Sequence, residues 1–135
     1  MFFCDVVTVK YNFIIYNIEK DKIKGVSAMA AINMNKDMFL DKINNKENLL
    51  VDFWAPWCTY CRRINAAYDM IAEENEGKIV VAKINIDEES ELSDRENIEI
   101  VPTLVMYKDG KAVGSVVAPK SKAEIDEFIR KTLNV

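Results

Sequence analysis

After residue 29, the spacing of the hydrophobic residues along the chain switches several times between strand-like and helix-like patterns. Leu49–Trp54 and Ile79–Ile86 are nearly continuous apolar runs, which are typical of strands buried on both faces of a sheet. Asp109-Gly110 favours a hairpin turn between two further strands. A short apolar segment ahead of these runs is typical of an edge strand. The pattern therefore predicts about five strands, at residues 30–33, 49–54, 79–86, 103–107 and 111–117.

Apolar side chains at helical spacing alternate with these strands. Asn35 favours a helix that continues to Ile43, and a second helix is expected from Cys58 until Gly77 ends it. A weaker helix is predicted over residues 88–96, and Ser121 begins a capping box that opens a last helix. The order β-α-β-α-β-α-β-β-α predicts an α/β fold, a central mixed sheet of about five strands flanked by about four helices.

Residues 1–28 differ from the rest, because a loosely alternating stretch runs into a polar one before Met29. Two interpretations stay open. These residues form an N-terminal extension, either disordered or docking one extra strand on the sheet. Alternatively they are untranslated upstream sequence, since codons for Lys24-Gly25-Val26 can contain a bacterial ribosome-binding sequence. The domain is expected to span residues 29–135, and the role of Cys4 is left open.

The composition and charge of the chain exclude some classes of function. The net charge is −4, so the chain offers no basic surface for nucleic acid or anionic membranes. Its 135 residues contain no histidine, so general acid–base work falls to other side chains. The chain has only three cysteines, and two of them lie close together. This indicates a working thiol pair in a reducing, cytoplasmic compartment. The first residues do not resemble a signal peptide, and no apolar run could span a membrane.

The sequence WAPWCTYC places Cys58 and Cys61 at the predicted start of a helix, beyond the carboxyl end of a buried strand. Residues three apart share a helix face, so a disulfide can close between them. The partial positive charge at the start of a helix favours a thiolate at Cys58, the species that attacks disulfides. Cys61 is then placed to resolve the mixed disulfide. A structural disulfide is the alternative, whereas a zinc site lacks ligands and no metal is expected.

Three further residues lie in the same predicted region. Asp52 interrupts an otherwise apolar strand, and burial would raise its pKa into the range useful for proton transfer. Lys83, in a neighbouring buried strand, is a candidate partner for that carboxylate, although a structural ion pair is the alternative. Pro102 opens a strand after Val101, and its peptide bond is either cis, exposing backbone to an extended peptide, or an ordinary trans bond.

Taken together, residues 30–135 strongly resemble the thioredoxin family. Four segments carry the resemblance, in order and at matching intervals: Val51-Asp52-Phe53-Trp54-Ala55-Pro56-Trp57-Cys58-x-x-Cys61, Val81-Ala82-Lys83-Ile84-Asn85-Ile86-Asp87, Val101-Pro102-Thr103 and Lys108-Asp109-Gly110. The resemblance implies reversible dithiol–disulfide exchange, with Cys58 attacking, Cys61 resolving, Asp52 accepting a proton, Lys83 as the partner of Asp52, and Pro102 in the cis form. It also implies a peptide-binding surface at Trp57, Thr59, Tyr60, Val101, Pro102 and Val117-Ala118-Pro119.

The resemblance implies a protein-disulfide reductase that binds no cofactor. Its redox-active group is the Cys58–Cys61 disulfide, which NADPH would reduce through a thioredoxin reductase. The expected partners are that reductase and client proteins with disulfides, with neither nucleic acid nor membrane, and the chain is expected to be a monomer.

Three departures from the family pattern leave other functions open. Thr59-Tyr60 replaces the usual Gly-Pro, and the N–H of Tyr60 would stabilise the Cys58 thiolate and raise the reduction potential. Ala66 replaces a kinking proline, so a straighter helix is expected. Ala118-Pro119 replaces Gly-Ala at the substrate surface. A glutaredoxin-like or more oxidising protein, and a non-catalytic binding subunit, therefore remain alternatives to the reductase.

Overall fold

The computed structural model describes residues 30–134. The expectations for residues 1–28, including Cys4, therefore lie outside the described residues, as does Met29. The described residues form one five-stranded sheet. Its strands are β1 (Ile32–Asn33), β2 (Leu49–Trp54), β3 (Val80–Asn85), β4 (Thr103–Lys108) and β5 (Lys111–Val117).

Over residues 30–134 there are five helices, where about four were expected; four lie between strands along the chain, and the last follows β5. They are α1 (Lys36–Asn44), α2 (Thr59–Arg63), α3 (Asn65–Glu74), α4 (Ser90–Arg95) and α5 (Lys122–Leu133). The extra helix arises because the segment after Cys58 is interrupted at Ile64, whose ψ is −2°. The expectation of a straighter helix without the proline is therefore wrong. Gly77 does not end α3 either, because the helix stops at Glu74 with Asn75 as its C-cap, and Gly77 takes a positive φ in the turn that follows.

The strand order is β1-β3-β2-β4-β5. β2 pairs in parallel with β3 and antiparallel with β4, so the sheet is mixed, as predicted. Asp109 and Gly110 both have positive φ, 55° and 81°, and join β4 to β5 in the hairpin that their residue types favour. The predicted α/β fold with a central mixed sheet of five strands is confirmed.

Two apolar layers cover the two faces of the sheet. Alternate residues of β2 point to opposite faces, so Leu50 packs against α3 and α5, while Leu49 and Val51 pack on the side of α1 and α4. The first layer contains Tyr68, Ile71, Ile125 and Ile129, and the second contains Phe39, Leu92 and Tyr107. Because helices cover both faces, the central strands are apolar on both sides, and a polar residue within them is exceptional.

Side-chain caps begin two helices where the sequence predicts them. The Asn35 amide oxygen accepts a hydrogen bond from the Met38 N–H at 2.8 Å. The Ser121 hydroxyl accepts one from the Glu124 N–H at 3.1 Å, and the Glu124 carboxylate accepts one from the Lys120 N–H at 2.7 Å. The second bond differs slightly from the capping-box pattern, because it comes from the residue before the cap. In the range 30–134, no helix is long and apolar enough to cross a membrane.

Candidate redox site

The carboxyl end of β2 leads directly to the two cysteines. Residues 55–57 form a short turn after Trp54, and Cys58 then occupies the capping position of α2. Cys58 and Cys61 form a disulfide, with their Cα atoms 5.3 Å apart. Cys58 is 8% exposed and Cys61 is 1% exposed. An approaching molecule therefore meets the sulfur of Cys58 first.

The start of α2 presents a backbone donor to that sulfur. The Cys61 N–H donates to Cys58 Sγ at 3.0 Å, so the sulfur takes the place that an oxygen occupies in an ordinary helix cap. The expected donor was the N–H of Tyr60, and the structure assigns the bond to Cys61 instead. The argument for a raised reduction potential from the N–H of Tyr60 therefore loses its structural basis.

The loop ahead of the helix is held by two bonds. The Cys58 N–H donates to the Ala55 carbonyl at 3.1 Å. The Arg62 guanidinium donates to the Pro56 carbonyl at 2.8 Å, so this cation is bound to the loop beside the cysteines. Because the loop is fixed from both ends, the position of Cys58 is well defined relative to β2.

Asp52 lies in the middle of β2 and is completely buried. Neither carboxylate oxygen accepts a hydrogen bond from any described residue. Burial raises the pKa of Asp52 from 3.8 to about 7, while the nearby charge of Lys83 acts to lower it. A carboxyl group with this pKa can both accept and release a proton near neutral pH.

Lys83 is the residue paired with Asp52 in the parallel register of β2 and β3. Its ammonium does not form an ion pair with the carboxylate, however. It donates to the Asn65 side chain at 2.8 Å and lies 4.8 Å from the centre of the Trp54 ring. The expectation of a direct partner is therefore corrected. The Lys83 side chain extends away from Asp52 to Asn65 at the start of α3. Its charge therefore acts on the Asp52 carboxyl group only at a distance.

Opposite the cysteines, the Val101-Pro102 peptide bond is cis. The Val101 carbonyl oxygen lies 3.8 Å from Cys58 Sγ. The Pro102 carbonyl accepts a bond from the Ala118 N–H at 2.9 Å, and Thr103 pairs with Val117 at the end of the β4–β5 ladder. The predicted substrate-surface residues at 101–102 and 117–118 thus lie together beside Cys58.

Exposed apolar side chains occur next to the cysteines in the chain and in the opposing segments. Trp57 is 65% exposed, and its indole N–H donates to the Asp87 carboxylate at 3.1 Å. Ile100 and Val117 are also exposed by about half, and Thr59 is exposed at the start of α2. Ile100 and Asp87 were not among the predicted site residues. The signal for Ile100 was an apolar side chain immediately before Val101-Pro102, and for Asp87 it was the polar end of an apolar strand.

Tyr60 makes a contact that sequence reasoning did not find. Its hydroxyl donates to the Pro119 carbonyl at 2.8 Å, across 59 residues of chain. The ring packs between the cysteine cluster and the apolar layer under α3 and α5. The residue between the cysteines is thereby joined to the segment after β5.

The geometry combines the less buried sulfur of Cys58 at the start of α2, the more deeply buried sulfur of Cys61, and the buried Asp52 carboxyl group of raised pKa on β2, the strand that leads to this helix. Such an arrangement can exchange a dithiol for a disulfide. In the part of the chain that the structure describes, no group of three or more acidic or cysteine side chains is placed to hold a metal ion.

Comparison with known proteins agrees with this geometry. Residues 30–131 match the thioredoxin family model. A thioredoxin of Porphyra purpurea is 39% identical over 68% of this chain and 86% of its own length. Thioredoxin 1 of a Nostoc species is 41% identical over 63% of this chain and 79% of its own. Among solved structures, a mutant thioredoxin from Halobacterium salinarum is 26% identical, with a TM-score of 0.69, and covers 78% of this chain and 92% of its own.

Proposed function

The chain belongs to the thioredoxin family of dithiol–disulfide oxidoreductases, and we propose that Cys58 and Cys61 reduce disulfides in client proteins. The observation that carries the assignment of roles is the position of the two sulfurs. Cys58 caps α2 and is 8% exposed, whereas Cys61 lies one turn deeper and is only 1% exposed. An incoming disulfide therefore reaches Cys58 before it can reach Cys61.

In the first step, the Cys58 thiolate attacks one sulfur of the client disulfide. A bond forms between Cys58 Sγ and that sulfur, the client S–S bond breaks, and the second client sulfur leaves as a thiolate. The start of α2 stabilises the attacking thiolate through its backbone N–H groups, of which the Cys61 N–H lies 3.0 Å from Cys58 Sγ.

In the second step, Cys61 resolves the mixed disulfide. Its thiol gives a proton to Asp52, and the resulting thiolate attacks Cys58 Sγ and releases the first client sulfur. The Cys58–Cys61 disulfide forms, and two electrons have passed to the client. Asp52 suits this role because its pKa of about 7 lets it take up the proton and return it to solvent afterwards. Lys83 limits the rise in that pKa.

The proposed surface for clients contains Trp57, Thr59, Val101, Pro102 and Val117. An extended client segment would pair with the backbone at Val101, next to Cys58 Sγ. The proposed electron source is NADPH, acting through a thioredoxin reductase, and the proposed site of action is a reducing compartment such as the cytoplasm. We further propose that residues 29–135 form the functional domain and act as a monomer.

The first test is insulin reduction by the purified protein, with NADPH and a thioredoxin reductase as electron source. We expect rapid turnover that is lost in Cys58→Ser. Activity with dithiothreitol or glutathione but not with the reductase would contradict the proposed donor and favour a glutaredoxin-like or more oxidising protein. No activity with any donor would contradict catalysis and favour a binding subunit.

A trapping experiment tests the order of attack. Cys61→Ser should accumulate a covalent adduct with an oxidised client, because the mixed disulfide at Cys58 can form but cannot be resolved. Cys58→Ser is the matched control and should give no such adduct. An adduct that forms equally well through Cys61 in the Cys58→Ser variant would reverse the assigned roles.

A further inference from the structure

The segment after β5 forms one side of the site and contains a residue in an uncommon backbone conformation. Ala118 has a φ of +47°, in the left-handed region that residues other than glycine and asparagine seldom adopt. A segment in this conformation persists only where surrounding contacts hold it. The contacts at Ala118 and its two successors therefore decide how well this side of the site is defined.

Three hydrogen bonds hold the segment, and they come from three different parts of the fold. The Ala118 N–H donates to the Pro102 carbonyl at 2.9 Å. The Lys120 N–H donates to the Glu124 carboxylate at 2.7 Å. Between them, the buried residue Pro119 accepts the Tyr60 hydroxyl at 2.8 Å. The Tyr60 bond alone joins the segment to the helix that carries the cysteines.

Tyr60 thus connects two structures that a client must contact together. Its backbone lies between Cys58 and Cys61, and its side chain ends on Pro119, one residue from Ala118 and two from the exposed Val117. Without this bond, the cysteine helix and the 117–119 segment would keep their own anchors but lose the direct link between them. A client would then have to order that segment as it docks, at a cost in binding free energy.

We propose that Tyr60 is a positioning residue for protein clients, through the hydrogen bond from its hydroxyl to the Pro119 carbonyl. The bond fixes the 117–119 segment relative to Cys58, so that an extended chain finds both in place. A small disulfide needs only the sulfur of Cys58 and does not use the segment. The inference rests on the proposed function, and it adds that this chain selects extended protein substrates through a contact made by its own Tyr60 and Pro119.

The test is Tyr60→Phe in the full chain, which removes the hydroxyl and keeps the ring. The loss of one hydrogen bond predicts a rise of about two- to tenfold in KM for insulin, with the change in KM rather than in kcat. The ratio of insulin activity to activity on a small aromatic disulfide should fall by the same factor. The Ala118 amide should also exchange its hydrogen faster with solvent.

Tyr107→Phe is the matched control, because its hydroxyl donates to the Glu96 carboxylate at 2.7 Å in the apolar layer on the α1 side of the sheet. It should leave KM and the exchange of Ala118 unchanged. If the wild-type protein reduces insulin and Tyr60→Phe matches it in KM and in Ala118 exchange, the inference is overturned and the proposed function stands. If the wild-type protein does not reduce insulin with any donor, both fail.

Discussion

The carboxyl group of Asp52 lies in an environment that penalises its charge. It is fully buried, and no described residue donates a hydrogen bond to it or places a cation in direct contact with it. A strand position of this kind would ordinarily hold an apolar side chain, as its neighbours Val51 and Phe53 do. The fold is therefore less stable with this carboxylate than it would be with a neutral group of similar size, and the effect depends on pH.

The sign of the pH dependence follows from the two pKa values. The pKa of Asp52 is raised from 3.8 to about 7 on folding, so between these values the folded chain keeps a proton that the unfolded chain has released. Stability therefore falls as pH rises through this range, by about 4 kcal/mol in total, and stays low above it. Asp52→Asn removes the titration and should be more stable than the wild type by about 2 to 4 kcal/mol at about pH 8.

Denaturant unfolding of the oxidised proteins measures this difference. The gap between Asp52→Asn and the wild type should shrink as pH falls towards about 4, since the unfolded chain then begins to take up the proton that Asp52 already holds in the folded chain. A gap that is the same at about pH 4.5 and about pH 8 would show that Asp52 is not the titrating group.

Among single residues, the sequence revealed those whose type or spacing differs from the rest of their segment. Asp52 was found because it breaks an apolar run, and Cys58 and Cys61 because of their spacing. The contact between Tyr60 and Pro119 could not be found in this way, because it depends on how α2 and the end of β5 meet in space. Lys83 was placed beside Asp52 correctly by register, but its side-chain direction depends on Asn65, which lies on another element.

Among the elements, α5 depends on the capping bonds at its first turn. The Ser121 hydroxyl accepts the Glu124 N–H, which has no partner within the helix. Ser121→Ala should therefore lower the free energy of unfolding by about 1 kcal/mol, whereas Ser121→Gly should cost only a few tenths. Chemical denaturation of the three proteins measures both values. Equal losses for alanine and glycine would contradict a capping role for the hydroxyl.

Helix α3 contacts the sheet through a polar group as well as through apolar side chains. The buried hydroxyl of Tyr68 lies 3.1 Å from the Leu50 carbonyl and 2.7 Å from the Ala82 carbonyl, on two adjacent strands. Burial raises the pKa of Tyr68 further above its ordinary value, so the hydroxyl remains a neutral donor. A single side chain thus joins α3 to both β2 and β3.

Tyr68→Phe removes these bonds and keeps the ring, and we expect a loss of about 1 kcal/mol in the free energy of unfolding. Tyr68→Ala also empties the ring's volume and should cost about 3 to 5 kcal/mol. Unfolding in denaturant distinguishes the two contributions. If phenylalanine costs as much as alanine, the hydroxyl and not the ring would hold α3 on the sheet.

The elements themselves were predictable where one local rule decides them. The strand at residues 49–54 and the turn at Asp109-Gly110 have strong signals in their own residues, and both match the structure. The interruption at Ile64 has no such signal, since the site contains neither proline nor glycine. The first strand was predicted over residues 30–33. In the structure β1 is shorter, because only Ile32 and Asn33 pair with β3.

For the molecule as a whole, the sheet supplies a rigid frame whose carboxyl-end loops carry the chemistry. Helices on both faces bury the central strands, and the cysteines, the Val101-Pro102 bond and the end of β5 meet at one edge of that frame. All of these parts lie within residues 30–134. The resemblance to thioredoxins was visible in the sequence because three of the four matching segments meet at this edge, whereas the Asp109-Gly110 turn lies at the opposite end of β4.

This distribution predicts the behaviour of a shortened chain. A protein of residues 29–135 contains every strand and helix described here and the whole span that matches the family, residues 30–131. It should therefore fold with a free energy of unfolding within about 0.5 kcal/mol of the full chain and reduce insulin at the same rate. Denaturation curves and the insulin assay on both proteins test this. A loss of more than about 1 kcal/mol, or of activity, would instead make residues 1–28 part of the functional domain and would contradict the proposed boundary.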